Sequence, residues 1–509
     1  MNRELPRVHP TVVHMLDAAA REAPDGEALV FGARRIDYAT YLASVAGFAR
    51  ELESLGARGG RVATLIGNSI EACIAAFAAL AAGAQHVPLN ALLTMAELEP
   101  ILVDAEPTVF VVDAALAAQA APVARRAGIR EVIVVGAGER LLDAWPAGSV
   151  ELPPLPDPTS LALLQYTGGT TGRSKGVDLA HRAIAVNVSQ REALLPGRRG
   201  DRILMLMPLS HAYGMAMGLF LAAYCAGTLV ILPRYQPDEV LATVPRERIG
   251  VFPGSPTVFV GLMGHPAFAH TDWRGVHTCY SGASALPAPV LERWRDAVGA
   301  PVHEGYGLTE AGPVLSFNPV GGPIKPGSVG VAVPMTEIEI VDVETGTQVL
   351  PAGERGEIRA RGPQLMRGYR NRPEETAAAL RDGWLYTGDV GEFDADGYLF
   401  IRDRKKDMAI VGGYNVYPRE VEDVLFAHPD VAAAAVVGVP DAYRGEVIVA
   451  HVVPRPGAPR DADALVAWCR ERLSKYKLPA RVRFTDALPL TAVNKIDKAA
   501  LRRLDAESG

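Results

Sequence analysis

The stretch RVATLIGNSIEACIAAFAALAAGAQHVPLN, Arg61 to Asn90, most constrains what this chain can fold into. RVATLIG is a short apolar run suited to a buried strand. Asn68 with Glu71 three residues on forms a capping-box pattern and predicts that a helix begins there. The alanine-rich helix should stop near Gly83, and QHVPLN reads as the next strand. Such strand–helix–strand alternation argues for a parallel sheet with helices on both faces. At 509 residues the chain has room for two or more domains and a large core.

The proline-rich ELPPLPDPTS, Glu151 to Ser160, marks a surface connection, and a second helix–strand series runs to about Phe317. NPVGGPIKPGSVG then breaks the pattern. EIEIVDVETGTQVLPAGERGEIRARG alternates around turn residues and predicts antiparallel hairpins. From near Lys405 the chain returns to mixed helix and strand, with VEDVLFAH, AAAAVVGV and VIVAHVVP. A large N-terminal body and a small C-terminal domain is the simplest division.

One segment, Ala212 to Leu232, runs 21 residues without a charge, long enough to span a bilayer. Gly227 splits it into a helix-like part and the β-branched run TLVIL, so a buried helix and strand is expected and no transmembrane segment. The charged N-terminus lacks the apolar region of a signal peptide. A net charge of −7 without any basic run gives no sign of a nucleic-acid partner. Cys73, Cys225, Cys279 and Cys469 are far apart and read as buried thiols of a reducing, cytoplasmic compartment. A homo-oligomer is left open.

LQYTGGTTGRSKGVDLAH, Leu164 to His181, places a flexible turn after a strand end. Its glycines let backbone N–H groups approach anionic oxygens, its hydroxyls add donors, and Lys175 adds charge. It is not a Walker P-loop: Arg173 and Ser174 separate Gly172 from Lys175, and no Ser or Thr follows the lysine. Alone, an ordinary strand–turn remains a competing reading.

The loop is accompanied in order by MPLSHAYG, SGASALP, HEGYGLTEAGP, RDGWLYTGDVG, IRDRKKDMAIVGGYNVYPREVE and TAVNKIDK. Together these segments resemble the signature motifs of adenylate-forming enzymes: acyl-CoA synthetases, amino-acid adenylation domains and luciferases. LQYTGGTTG and YGLTEAGPVLSFNP look most like the fatty-acid–CoA ligase branch. The resemblance covers nearly the whole chain. It implies a large N-terminal domain of doubly wound α/β sheets plus a small β-barrel, and a small mobile α+β C-terminal domain. The expected boundaries are 1–403 for the AMP-binding domain, with α/β subdomains at about 1–160 and 161–320 and a barrel at 326–403. A hinge would follow at 404–406 and the mobile domain at 407–509.

The resemblance also implies site residues. Thr167, Gly168, Gly169, Thr170, Thr171, Gly172 and Lys175 would hold the β- and γ-phosphates of ATP. Gly282, Ala283 and Ser284 would line the adenine site, with Tyr306 against the ring and Gly307 also among the ATP/AMP-binding residues. Thr309 would contact the α-phosphate and Glu310 would bind Mg²⁺. Asp389 and Arg404 would hold the ribose, and Lys406 would be the hinge residue. Lys495 would act in adenylation, bridging carboxylate and α-phosphate; Asn494 stands before it where many relatives have glycine. Gly412 and Gly413 would line the passage for the pantetheine arm of CoA.

The acid would lie near His211, Ala212, Tyr213, Met215, Ser281 and Ala311, with His211 gating the carboxylate's entry. These residues supply neither an obvious cation for a second carboxylate nor an Asp for an amino group. The implied function is therefore an ATP-dependent acid–CoA ligase for a hydrophobic monocarboxylic acid, a fatty acid first, using ATP, Mg²⁺ and CoA. Alternatives are an aromatic or alicyclic acid–CoA ligase, an enzyme loading a carrier protein, and a nucleotide-binding regulatory protein.

Overall fold

The computed structural model describes residues 4–136, 138, 140–145, 147–149, 151–167, 174–282, 286, 288–405, 407–411, 414–441, 444–491 and 496–507. Its contacts divide the chain into two compact units. One is Met1–Ile338 with Ala360–Tyr386, the other Glu339–Arg359 with Thr387–Gly509.

The first unit is built on two large sheets. In one, the strands Leu161–Thr167, Gln85–Leu89, Arg61–Leu65, Val109–Asp113 and Glu131–Val135 lie parallel in that spatial order. Lys175–Ala180 and then Gly368–Tyr369 add antiparallel at the Leu161–Thr167 edge. In the other, six parallel strands run from Val302–Gly307 through Thr278–Ser281, Val251–Gly254, Arg202–Met205 and Thr228–Ile231 to Glu27–Phe31. Antiparallel strands close both of its ends.

The opening stretch folds largely as its pattern predicts. Arg61–Leu65 and Gln85–Leu89 pair in parallel, and every residue of the helix Ile70–Ala81 except Ala72 is buried. Its Phe77 meets the rings of Tyr41 and Phe220 edge-on. The cap differs from expectation. Ser69, not Asn68, is the N-cap, its hydroxyl accepting from the N–H of Ala72. Asn68 is drawn away by the tertiary fold: its amide donates to the carbonyls of Met207 and Leu232 and accepts from the N–H of Leu209. Glu71 pairs with Arg34 instead of closing a capping box.

The uncharged segment forms consecutive helical turns over Ala212–Tyr224 and then the buried strand Thr228–Ile231. No helix among the described residues is long and apolar enough to cross a membrane.

Around the expected barrel, the strands Glu337–Val341, Gly356–Arg361, Trp384–Phe393, Leu380–Arg381 and Leu399–Arg404 form a five-stranded sheet. In the second unit, Val431–Asp441 and Gly445–Pro454 make a long antiparallel pair, with Arg481–Phe484 added in parallel. The helices Pro418–Phe426 and Ala462–Arg470 bury Val421, Leu425, Leu465 and Cys469 in its core. The fold is thus mixed α/β, a large N-terminal assembly of sheets and helices followed by a smaller C-terminal domain.

Candidate active site

Each unit carries its own group of the expected residues. Lys175 opens the strand that pairs with Leu161–Thr167, and Thr167 stands directly opposite it. The two ends of the Gly/Thr turn are therefore held in register. Glycines and threonines 168–172 lie outside the described residues, as do Ala283, Ser284, Lys406, Gly412, Gly413 and Lys495.

Lys175 is only 22% exposed and is paired with Glu375. Its Nζ also stands 5.1 Å from the centroid of the Tyr369 ring. The Tyr369 hydroxyl in turn donates to Glu310 Oε1 at 2.8 Å. One side chain thus lies between the expected phosphate lysine and the expected metal carboxylate. Neither Tyr369 nor Glu375 was singled out from the sequence. The segment GYRNRPEET carries a readable signal, a proline opening the helix Pro373–Ala379 with two acidic residues in its first turn.

Glu310 sits in a single 3₁₀ turn, Thr309–Ala311, directly after the strand Val302–Gly307. Thr309 and Ala311 are buried, while Glu310 is half-buried. Gly307 is required by close approach: a Cβ there would lie 1.8 Å from the carbonyl oxygen of Pro313. Tyr306 precedes it, partly buried against the apolar core. Among the described residues, no cluster of three or more His, Cys, Asp or Glu side chains could cage a metal. One carboxylate with no cation paired to it among the described residues suits Mg²⁺, which takes few protein ligands and completes its shell with phosphate and water.

Of the expected acyl residues, Tyr213 lies against Gly282, the first residue of the expected adenine segment. Ala212, Tyr213, Met215, Ser281 and Ala311 are all buried. Tyr213 donates to the Gly254 carbonyl at 3.2 Å, and its ring stands edge-on to Tyr280 at 6.3 Å. Gly282 backs onto it, since a Cβ there would lie 2.8 Å from Tyr213 Cε2. The Ser281 hydroxyl is buried without a hydrogen-bond partner among the described residues, leaving one unused polar group there. His211 is half-buried and caps the helix, its Nδ1 accepting from the N–H of Tyr213, which leaves the ring proton to Nε2. Glu304 is a buried site-shaping residue that sequence reading missed. It accepts from the N–H of Leu286, two residues beyond the SGAS segment in sequence.

In the second unit, Asp389 and Arg404 fall opposite each other on paired strands. Arg404 Nε is 3.4 Å from Asp389 Oδ1; the carboxylate is 10% exposed and the arginine 54%. Thr387 fixes the local backbone of this strand, its hydroxyl accepting from the Asp389 N–H and donating to the Ile358 carbonyl.

None of the four cysteines is prepared for attack. All are buried and free. Burial pushes the Cys279 thiol up to about 12 and the Cys469 thiol up to about 11.

The sequence matches the AMP-binding enzyme family over residues 16–370 and the AMP-binding enzyme C-terminal domain over 420–495. The chain belongs to the AMP-binding enzymes. It is 35% identical to a long-chain-fatty-acid–CoA ligase of Bacillus subtilis, over 99% of this chain and 96% of that one. It is 38% identical to a feruloyl-CoA synthase of an Amycolatopsis species, over 95% and 97% of the two chains. Among solved structures, ATP-bound MatB from Rhodopseudomonas palustris superposes with a TM-score of 0.90 at 32% identity, covering 97% of this chain and 98% of that one. The protein is thus an adenylate-forming acyl-CoA synthetase, an acid–thiol ligase.

Proposed function

We propose that this AMP-binding enzyme joins a hydrophobic monocarboxylic acid, a fatty acid first, to the α-phosphate of ATP and then passes the acyl group to CoA. The carrying observation is the uncharged, buried character of Ala212, Tyr213, Met215, Ser281 and Ala311. A second carboxylate would need a partner there, because an unpaired charge is costly to bury. The B. subtilis relative supports the aliphatic reading. The feruloyl-CoA synthase favours an aromatic acid as the second reading.

A carboxylate cannot donate its acyl group directly, since the leaving group would be oxide. The mixed anhydride with AMP removes that obstacle, and the enzyme's task is positioning and charge neutralisation. In this reading Thr167 to Lys175 hold the β- and γ-phosphates that leave as pyrophosphate. Thr309 contacts the α-phosphate, and Glu310 holds Mg²⁺, which neutralises phosphate charge. Tyr306 and the Gly282–Ser284 turn accept adenine, and Asp389 with Arg404 accept the ribose. Lys495 stabilises the charge that develops as the anhydride forms. Rotation at a 404–406 hinge through Lys406 then exchanges Lys495 for Gly412 and Gly413, which flank the pantetheine arm. Four free buried thiols suit a cytoplasmic setting.

The test is a panel of aliphatic, aromatic and dicarboxylic acids assayed for AMP release in the presence of CoA. Hydrophobic monocarboxylates should support release and thioester formation. A preference for a dicarboxylate, or release without thioester, would refute the proposal.

A further inference from the structure

We propose that Tyr369 is a positioning residue that ties the metal-binding carboxylate of Glu310 to the phosphate-binding ammonium of Lys175. The inference rests on the roles of Glu310 and Lys175 proposed above.

The ring and the hydroxyl of Tyr369 serve opposite charges. Its hydroxyl donates to Glu310 Oε1 at 2.8 Å, leaving the second carboxylate oxygen for a hard cation. Its face lies 5.1 Å from Lys175 Nζ, where the quadrupole attracts an ammonium. A tyrosine has two main torsions, so one rigid side chain sets the relation between the two charges. Groups that orient a metal ligand through a hydrogen bond contribute substantially to metal affinity.

Tyr369 is itself fixed from several sides. It lies on a short strand paired with the one that Lys175 begins, opposite Val177. Its N–H donates to Thr376 Oγ1 at 2.8 Å. Thr376 belongs to the helix Pro373–Ala379, the same helix that carries Glu375 against Lys175. The next residue, Arg370, donates its N–H to the Gly176 carbonyl and its Nε to the Asp104 carbonyl, at 2.8 and 2.7 Å. The hydroxyl is the donor in this contact, since an ionised carboxylate only accepts. Glu375 acts on the same lysine as an anion in advance of the phosphates and keeps the ammonium near the ring.

The experiment uses the full-length enzyme with ATP and Mn²⁺ in place of Mg²⁺, free Mn²⁺ being read by electron paramagnetic resonance. Tyr369→Phe keeps the ring and removes the hydroxyl. It should weaken Mn²⁺ binding to the enzyme–ATP complex about 10- to 100-fold. Excess Mg²⁺ should restore turnover, and the KM for acid and for CoA should stay within about twofold, inside ordinary surface-mutation effects. Tyr369→Leu should in addition raise the KM for ATP at saturating Mg²⁺. Glu310→Gln tests the underlying assignment and should weaken Mn²⁺ binding to the enzyme–ATP complex more than Tyr369→Phe does, down to what the nucleotide's own phosphates hold. If Glu310→Gln weakens Mn²⁺ binding and Tyr369→Phe does not, the positioning role is overturned while the Glu310 assignment stands. If Glu310→Gln binds Mn²⁺ normally, the Glu310 assignment itself fails. A Tyr369→Phe variant that weakens ATP, acid and CoA in parallel, with a lowered thermal midpoint, would show a structural role only and overturn the proposal.

Discussion

Replacing Asp389 by Asn separates what the residue does for the protein from what it does for the nucleotide. Inside the protein the loss should be small. The carboxylate is 10% exposed, but its partner Arg404 is 54% exposed at 3.4 Å, and a pair screened on that side is worth about 1 kcal/mol. The Thr387 hydroxyl holds the backbone N–H of residue 389, a bond the substitution keeps. The urea midpoint should therefore stay near wild type. For ATP the balance differs. Two ribose hydroxyls donating to a carboxylate make charge-assisted bonds, each worth about 1.5–3 kcal/mol. Asparagine keeps one acceptor and loses the charge, so about one such bond is forfeited. Affinity should fall about 10- to 150-fold. Acid-dependent ATP–pyrophosphate exchange, run with ATP and with 2′,3′-dideoxy-ATP, isolates the effect. The dideoxy nucleotide has no hydroxyls to lose, so wild type and Asp389→Asn should use it equally well. An equal penalty on both nucleotides would refute the ribose assignment.

Lys495→Ala should lose pyrophosphate exchange yet convert supplied acyl-AMP to thioester, because in the proposed mechanism the lysine serves only the first half-reaction; equal loss of both steps in a stopped assay would remove that assignment. Gly413→Leu should do the reverse, preserving exchange and blocking thioester formation, and unimpaired thioester formation would end the passage role. His181 predicts a pH effect on stability. It is fully buried, neither ring nitrogen has a partner among the described residues, and burial lowers its pKa to about 4. The unfolded chain therefore takes up a proton near pH 6.5 that the folded one refuses until about pH 4, so stability falls as pH drops through that window. The loss approaches about 3 kcal/mol, and His181→Leu should flatten the corresponding fall in urea midpoint while leaving pH 7.5 little changed; an unaltered slope would disprove it.

The alternation of apolar runs and alanine-rich helices was enough to place the parallel sheets, because a strand buried on both faces has few other sequences to adopt. The structure sets Thr167 opposite Lys175, Glu310 in a turn past a strand, and Asp389 opposite Arg404, pairings that motif order alone does not give. The misread cap shows the limit. Asn68 and Ser69 are both good N-caps by local chemistry. The decision between them lies 139 and 164 residues away, at the carbonyls of Met207 and Leu232 that claim the Asn68 amide. Tyr369 and Glu375 were hidden for the same reason. Their meaning depends on Lys175 and Glu310, and no local period connects those segments.

The distribution of charge in the first unit bears on how the chemistry must run. The Cys279 thiol is pushed to about 12 by burial, and the Tyr213 hydroxyl is raised well above its ordinary value, so neither is a ready nucleophile. Lys175 is already neutralised by Glu375 before any phosphate arrives. In the proposed reading an incoming polyphosphate would exchange one anion for another and would not have to strip water from a bare ammonium. Such an exchange would lower the reorganisation needed on binding and hold the lysine ready for the leaving group's charge that the proposed mechanism puts there. The acceptor thiol has to come from the second substrate, and the protein's part is to hold fixed charges around two successive displacements. A site made this way should tolerate changes in the acid far better than changes in the relation between Lys175, Tyr369 and Glu310. Variation among relatives in the acid named, fatty or feruloyl, on a shared fold is what such a division of labour predicts.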